Sequence, residues 1–234
     1  MQFGPPGIGT LGEKPLHASL KRWYAAPGDQ IEVPFEGYVI DLVREDLLIE
    51  IQTRSFSSMK SKLTKLLDGG HRVRIVHPIA IDRWIVKVDG AGDLVSRRRS
   101  PKHGSALDIF SELVSFPDLI VRKELELELV LVEEDEIRQH RIDGPWRRNG
   151  WAVVERRLVE VVETLRIATP RDLASLLPAG LGETFTTSGL ASASGRPLRL
   201  VQQMAYCLRK AGAIETVGKV GKAVEYRLCA GERT

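Results

Sequence analysis

The chain has 234 residues, 43% of them hydrophobic and 28% charged, with a formal net charge of +3. This is an ordinary globular composition, long enough for one large or two small domains with real cores. No apolar run approaches the ~20 residues of a membrane span, no basic segment followed by an apolar stretch marks a secretory signal, and two cysteines, Cys207 and Cys229, make neither a disulfide framework nor a zinc site. A cytoplasmic protein without membrane contact is the expectation. With so small a net charge, any affinity for nucleic acid must come from local patches.

At the N-terminus, "GPPGIGT" has the Gly4 and Gly9 spacing of a phosphate-binding loop. That loop needs a lysine next, between a strand and a helix, to meet the β/γ-phosphates. Thr10 stands there instead, and nothing before Gly4 can form the strand, so the stretch reads as an N-terminal arm. "EKPLHASLKRWYA" follows. Pro15 suits the first turn of a helix, and Leu16, Leu20, Trp23 and Tyr24 recur at helical spacing. Glu13, His17 and Lys21 stack on a neighbouring face of that helix. "IEVPF", "GYVIDLV" and "LLIEIQT" then read as three strands, the last two joined by a tight turn, and Ser55 caps a helix, "SSMKSKLTKLLDG", that ends at Gly69-Gly70. "HRVRIVHPIAI" and "RWIVKVD" read as two further strands.

The strand pair carries three polar side chains in apolar surroundings: Asp41 between Ile40 and Leu42, Glu50 between Ile49 and Ile51, and Gln52 just beyond. An unpaired buried carboxylate costs several kcal/mol, roughly, after relaxation, so a metal ion, a basic partner or an open cleft must offset it. Side chains alternate across a strand. If the two strands pair as a hairpin, Asp41 and Glu50 converge on one side of the sheet. The bland alternative is an ordinary hairpin with both acids at a solvated face, or neutralised by Arg44 or a nearby lysine.

Helix, three strands, helix and two strands, with Asp41 and then Glu50-Ile51-Gln52 on paired strands, resembles the PD-(D/E)xK nucleases of restriction-endonuclease-like fold, over residues 11–88. The resemblance implies an α/β fold, a mixed sheet flanked by helices, and hydrolysis of phosphodiester bonds in DNA with Mg²⁺ or Mn²⁺. The ion would be held by Asp41, Glu50 and the Ile51 carbonyl, matching the hard oxygen ligands and few carboxylates such ions take. Glu13 would match the first-helix acid of the Holliday junction resolvase and RecB-like branches and hold a water. The family's motif lysine is replaced by Gln52, as in some active restriction enzymes; the amide is no general base but can orient a water. In other members that lysine sits on the following helix, where Lys60 or Lys62 would serve. His17, His71 and His77 do not have metal-ligand spacing and read as polar surface or core residues.

"SRRRSPKHGS" reads as a basic loop, either phosphate-contacting or merely solvated. "ALDIFSELVSF" reads as a helix. The strict Leu/Glu alternation of "ELELELVLVEEDE" reads as a half-exposed strand at the sheet's edge, with charges that discourage aggregation. "IDGPWRRNG" marks the expected boundary, giving a nuclease-like domain over 1–145 and a second domain over 146–234.

In the second part, "AVVERRLVEVVETLR" reads as a helix. "TPRDLASLLP" reads as another, with Thr169 as cap and Pro170 at its first position. Residues 186–228 give a short helix, a turn, a longer helix ended by Gly212, and two strands, which resembles a winged helix-turn-helix domain. On the longer helix Val201, Met204, Ala205 and Leu208 form a core stripe, leaving Arg199, Gln202, Gln203, Tyr206, Arg209 and Lys210 outward. Arg and Gln can pair with guanine and adenine edges in the major groove, and Lys219 and Lys222 in the wing turn suit phosphates. This segment holds seven Lys/Arg against two Glu. DNA binding is the expectation; protein contact or a homodimer is the alternative. Because of Gln52, a non-catalytic DNA-binding protein on a degenerate nuclease scaffold remains the rival to the enzyme.

Overall fold

The computed structural model describes residues 14–142 and 145–229. Pro15 opens α1 (Pro15–Tyr24), which buries Leu16 and Leu20. β1 (Gln30–Phe35), β2 (Tyr38–Arg44) and β3 (Leu47–Ile51) follow as an antiparallel meander. Ser55 accepts the Ser57 amide and starts a 3-10 turn, Phe56–Met59, that runs into α2 (Lys60–Asp68). β4 (Arg72–Val88) lies parallel to β3, and β5 (Leu94–Arg99) folds back on the far half of β4. A second 3-10 turn, Ala106–Ile109, and α3 (Phe110–Leu113) cross to β6 (Leu125–His140), parallel to β4. β7 (Trp151–Ile167) closes the sheet antiparallel to β6. The order is β1-β2-β3-β4-β6-β7, with β5 beside β4. This is the expected α/β architecture of a large mixed sheet with helices on its faces.

Each sheet face has its own core. On one, Leu16 and Leu20 of α1 meet Leu42, Ile49, Ile51 and Val130. On the other, Leu63, Leu66 and Leu67 of α2 pack with Leu48, Ile75, Leu127 and Leu129. Each of these buried side chains contributes about 1.5–3 kcal/mol of transfer free energy. The α1 core and the α2 core therefore clamp β2 and β3 between them, and that clamp fixes the strand ends where Asp41 and Glu50 lie.

Four sequence expectations change. The two strands expected within residues 71–89 are one strand, β4, with a bulge between Ala80 and Asp82. Of the basic stretch expected as a loop, residues 96–99 belong to β5, where Arg97 binds Asp135 and Arg99 binds Asp82, and residues 100–105 are the loop. The Leu/Glu strand is not an edge but β6, between β4 and β7. Its leucines fill the α2-side core. Its glutamates are neutralised rather than solvated: Arg74 and Arg166 hold Glu126, and Arg83 holds Glu134 at 2.6 Å. Finally, the helix expected over residues 152–166 is the strand β7. The β6–β7 register skips Val154, Val159 and Val162, so three bulges each insert an extra residue. The sheet thus continues to Ile167, past the boundary expected at 145/146.

Beyond the sheet, α4 (Pro170–Ala174) carries a reciprocal cap between Thr169 and Asp172. β8 (Phe185–Thr186), α5 (Thr187–Ser194), α6 (Leu198–Lys210), β9 (Ile214–Val220) and β10 (Ala223–Leu228) complete the chain, the strands forming a small sheet in the order β8-β10-β9. Val201, Met204, Ala205 and Leu208 are buried as expected and join the α2-side core. α6 lies against α3, where the Cys207 thiol approaches the Phe110 carbonyl. Among the described residues no helix is long and apolar enough to cross a membrane.

Candidate active site

The site forms where β2 and β3 stop pairing. Their register runs Arg44–Leu47, Val43–Leu48 and Leu42–Ile49; the next step would pair Asp41 with Glu50. Ile40 is buried on the α2 side and Leu42 on the α1 side, although a regular strand would put both on one face. β2 therefore turns over at Asp41, freeing its side chain from the ladder. The Asp41 carboxylate instead accepts the Ile51 amide at 2.8 Å and meets His17 Nε2 at 3.2 Å. Glu50, one register step on, accepts Lys62 Nζ at 2.6 Å. The two acids were expected on one sheet face. They do come together, but Asp41 is held from α1 and Glu50 from α2, across the end of the strand pair.

Their electrostatics diverge. Burial pushes the Asp41 carboxyl up, but the hydrogen bond and charge of His17, the Ile51 amide and the Lys21 charge outweigh it, and the group titrates below the ordinary aspartate value. Burial dominates at Glu50: Lys62 pulls its pKa down, the Asp41 charge pushes it up, and the net direction is upward. The charged form is thus favoured at Asp41 and disfavoured at Glu50, even with Lys62 beside it. Such separation of paired acids is a common feature of functional sites.

The neighbouring residues sort themselves clearly. Lys62 also donates to the Val39 carbonyl at 2.6 Å and lies over the Tyr38 ring. Lys60, expected as a catalytic candidate, is not at the site; it lines a separate cleft with Ser57, Thr64 and Asp68 on the outer side of α2. Lys62, two positions further on, reaches Glu50 because helical geometry turns it by about 200°. The Gln52 amide donates to the Ser55 carbonyl and the Ser58 hydroxyl, at 2.8 and 3.0 Å, and so braces the turn after β3. His77 Nδ1 meets the Gln52 carbonyl at 2.6 Å. That carbonyl would otherwise face the nitrogen of Pro78, which has no hydrogen to give. Burial holds the His77 pKa down. Glu13 lies outside the described residues, as does the "GPPGIGT" stretch.

Donors for a cation are present. In a parallel ladder alternate residues bond to one neighbouring strand. Gln52 donates to Val76, so Ile51 directs its amide and carbonyl the other way, into the gap beside Asp41. Asp41, Glu50 and Ile51 line an open cleft of about 360 Å³ with His17 and Gln52. The donor set is two carboxylates and a backbone carbonyl, all hard oxygens suited to Mg²⁺ or Mn²⁺. Among the described residues no group of three His, Cys, Asp or Glu side chains is placed to hold a metal ion.

On α6, Arg199, Gln202, Tyr206 and Arg209 are exposed along one stripe, and Gln203 is half-buried. Lys210, expected to face a ligand with them, pairs with Asp118 at 3.1 Å. Lys219 and Lys222 flank the β9–β10 turn and are exposed.

A family model described as a domain of unknown function, DUF8091, matches residues 14–168. The chain belongs to the DUF8091 family. The matched segment runs from the start of α1 to the end of β7, so the DUF8091 domain coincides with the large sheet and holds both carboxylates. The chain is also 29% identical, over 221 residues, to an "Uncharacterized protein" of Treponema pallidum (strain Nichols), covering 94% of this chain and 87% of that one. This likeness extends past the DUF8091 segment into the C-terminal helices and small sheet. No solved structure matches.

Proposed function

We propose that this DUF8091 protein is a metal-dependent DNA endonuclease of the PD-(D/E)xK type. The observation that carries the reading is the convergence of Asp41 and Glu50 on one open cleft at the diverging ends of β2 and β3, with Lys62 on Glu50. Mg²⁺ or Mn²⁺ would be held by the two carboxylates and the Ile51 carbonyl. When bound, the ion supplies neutralisation of phosphate charge and a lowered pKa for an attacking water. The chain's own groups do the rest. His17 and the Ile51 amide fix the orientation of Asp41. Lys62 holds Glu50 and sets an ammonium beside the cleft, the position in which a cation stabilises charge developing on a phosphoryl group. Gln52, in the place of the motif lysine, braces the turn that carries Ser58 to the cleft.

In this reading residues 186–228 act as a winged helix that positions DNA, through Arg199, Gln202, Tyr206 and Arg209 on α6 and through Lys219 and Lys222. Lys210 instead pairs with Asp118, in the segment between α3 and β6. One observation favours the non-catalytic alternative: the amide hydrogens of Gln52 are committed to the turn, and no lysine extends from that strand position. Incubation with a panel of DNA duplexes, junctions and single strands, with Mg²⁺ or Mn²⁺, decides between them. The enzyme reading predicts metal-dependent cleavage that Glu50→Gln abolishes. DNA binding without cleavage of any substrate would favour the scaffold.

A further inference from the structure

The carboxylate cleft does not end at the acids. It shares Lys14, Thr53 and Arg54 with a second cleft of about 380 Å³ that extends to Val153–Arg156 of β7. The two therefore form one groove, running between the start of α1 and the turn after β3. Lys14 and Arg54 are exposed and, among the described residues, have no carboxylate partner. Arg156 only approaches Glu134, at 3.9 Å, and that carboxylate already holds Arg83 at 2.6 Å. The one acid of the second cleft, Glu155, is occupied by Arg157 at 3.0 Å. The groove thus presents three cations, Lys14 and Arg54 on the cleft that holds Asp41 and Glu50, and Arg156 on the adjoining one.

We propose that this groove is the binding track for one nucleic-acid strand, with Lys14, Arg54 and Arg156 each meeting a backbone phosphate on the β7 side of the cut. The inference rests on the nuclease reading for the position of the cut, but the track itself is a phosphate-binding surface and can be tested without catalysis. Cations that neutralise phosphates release counterions, and each such contact steepens the fall of log K with log salt by about 0.7 for a single strand and about 0.9 for a duplex. Phosphate contacts carry no sequence information of their own, so binding through these three cations is indifferent to sequence.

The test is fluorescence anisotropy with a labelled oligonucleotide, single-stranded and annealed to its complement, across a salt series with EDTA present so that nothing is cut. The full chain is compared with Lys14→Ala/Arg54→Ala/Arg156→Ala, and with a control, Arg22→Ala/Lys123→Ala/Arg148→Ala, that removes the same charge elsewhere. The groove variant is expected to bind at least about tenfold more weakly at 0.1 M salt, with a slope shallower by about 2 on the single strand and about 3 on the duplex. The control is expected to keep the parent slope. Equal slopes for groove variant and parent, equal losses in variant and control, or a parent that binds no oligonucleotide would overturn the track. A parallel Mn²⁺ titration separates the two ideas. Failure of the parent to bind Mn²⁺, with the groove effect intact, would sink the nuclease reading and leave the track standing.

Discussion

Replacing Asp41 by alanine and by asparagine separates what this residue does for the fold from what it does for a ligand. Its carboxylate is the acceptor for the amide of Ile51, a residue only 2% exposed. Alanine leaves that buried N–H unsatisfied, at a cost of about 1–3 kcal/mol. The depressed pKa of Asp41 gives the same sign: the folded state stabilises its charge, and the contribution is present above the unfolded aspartate pKa and lost as pH falls through the folded one. Relief of repulsion with Glu50 offsets part of the loss. For a chain of this length 1 kcal/mol moves Tm by about 2–4 °C, so Asp41→Ala should lower Tm by roughly 2–12 °C in EDTA at neutral pH. Asparagine keeps an oxygen for the Ile51 amide and should lose less than half as much. Both should bind no divalent cation. Calorimetric melting of the three proteins checks this. If alanine melts with the parent, or asparagine melts with alanine, the Ile51 bond does not hold the strand ends as described.

Glu50→Gln should raise Tm at neutral pH in EDTA, because the folded state disfavours the ionised carboxylate. The gain should vanish as pH falls below the unfolded glutamate pKa, where both states are protonated, and a lower neutral-pH Tm would reverse the sign argued for Glu50. Lys62→Met should reduce cleavage by at least about tenfold and shift the acid limb of its pH profile upward, since it removes the cation that pulls the Glu50 pKa down; Lys60→Ala should leave rate and profile unchanged, and equal effects would remove the assignment of Lys62. Replacing Arg199, Arg209, Lys219 and Lys222 together with alanine should weaken DNA binding and flatten its salt slope by about 3–4, without changing Mn²⁺ affinity, as measured by anisotropy and calorimetry.

The meeting of Asp41 and Glu50 was legible in the sequence, because a short turn between the two strands sets a register that brings these positions together. The turning-over of β2 at Asp41 was not, since it depends on two helices competing for Ile40 and Leu42 from opposite faces. Lys60 and Lys62 are equivalent as letters; only the rotation of α2 against Tyr38 and Val39 chooses between them. β7 misled for a definable reason. Bulges at Val154, Val159 and Val162 break the two-residue alternation of its half-buried positions, Val153, Glu155, Leu158, Val161 and Leu165, so that successive spacings run from two to four and mimic the period of a helix. β6 reads as an edge strand because glutamate alternation looks solvated when the arginines that neutralise it lie elsewhere in the sequence, at positions 74, 83 and 166. The Thr169 cap of α4 and the core stripe of α6 are local patterns, and both form where the sequence indicates, although α4 stops at Ala174, short of Pro178.

The central claim is that Asp41 and Glu50 together hold a divalent cation, and the most direct test is calorimetric titration of Mn²⁺ into the parent and into Glu50→Gln at neutral pH. The account predicts saturable binding by the parent, weakening as pH falls through the raised Glu50 pKa, and no binding by the variant even though it melts at a higher temperature. Undiminished Mn²⁺ affinity in a folded Glu50→Gln protein, or a parent that takes up no Mn²⁺, would contradict it.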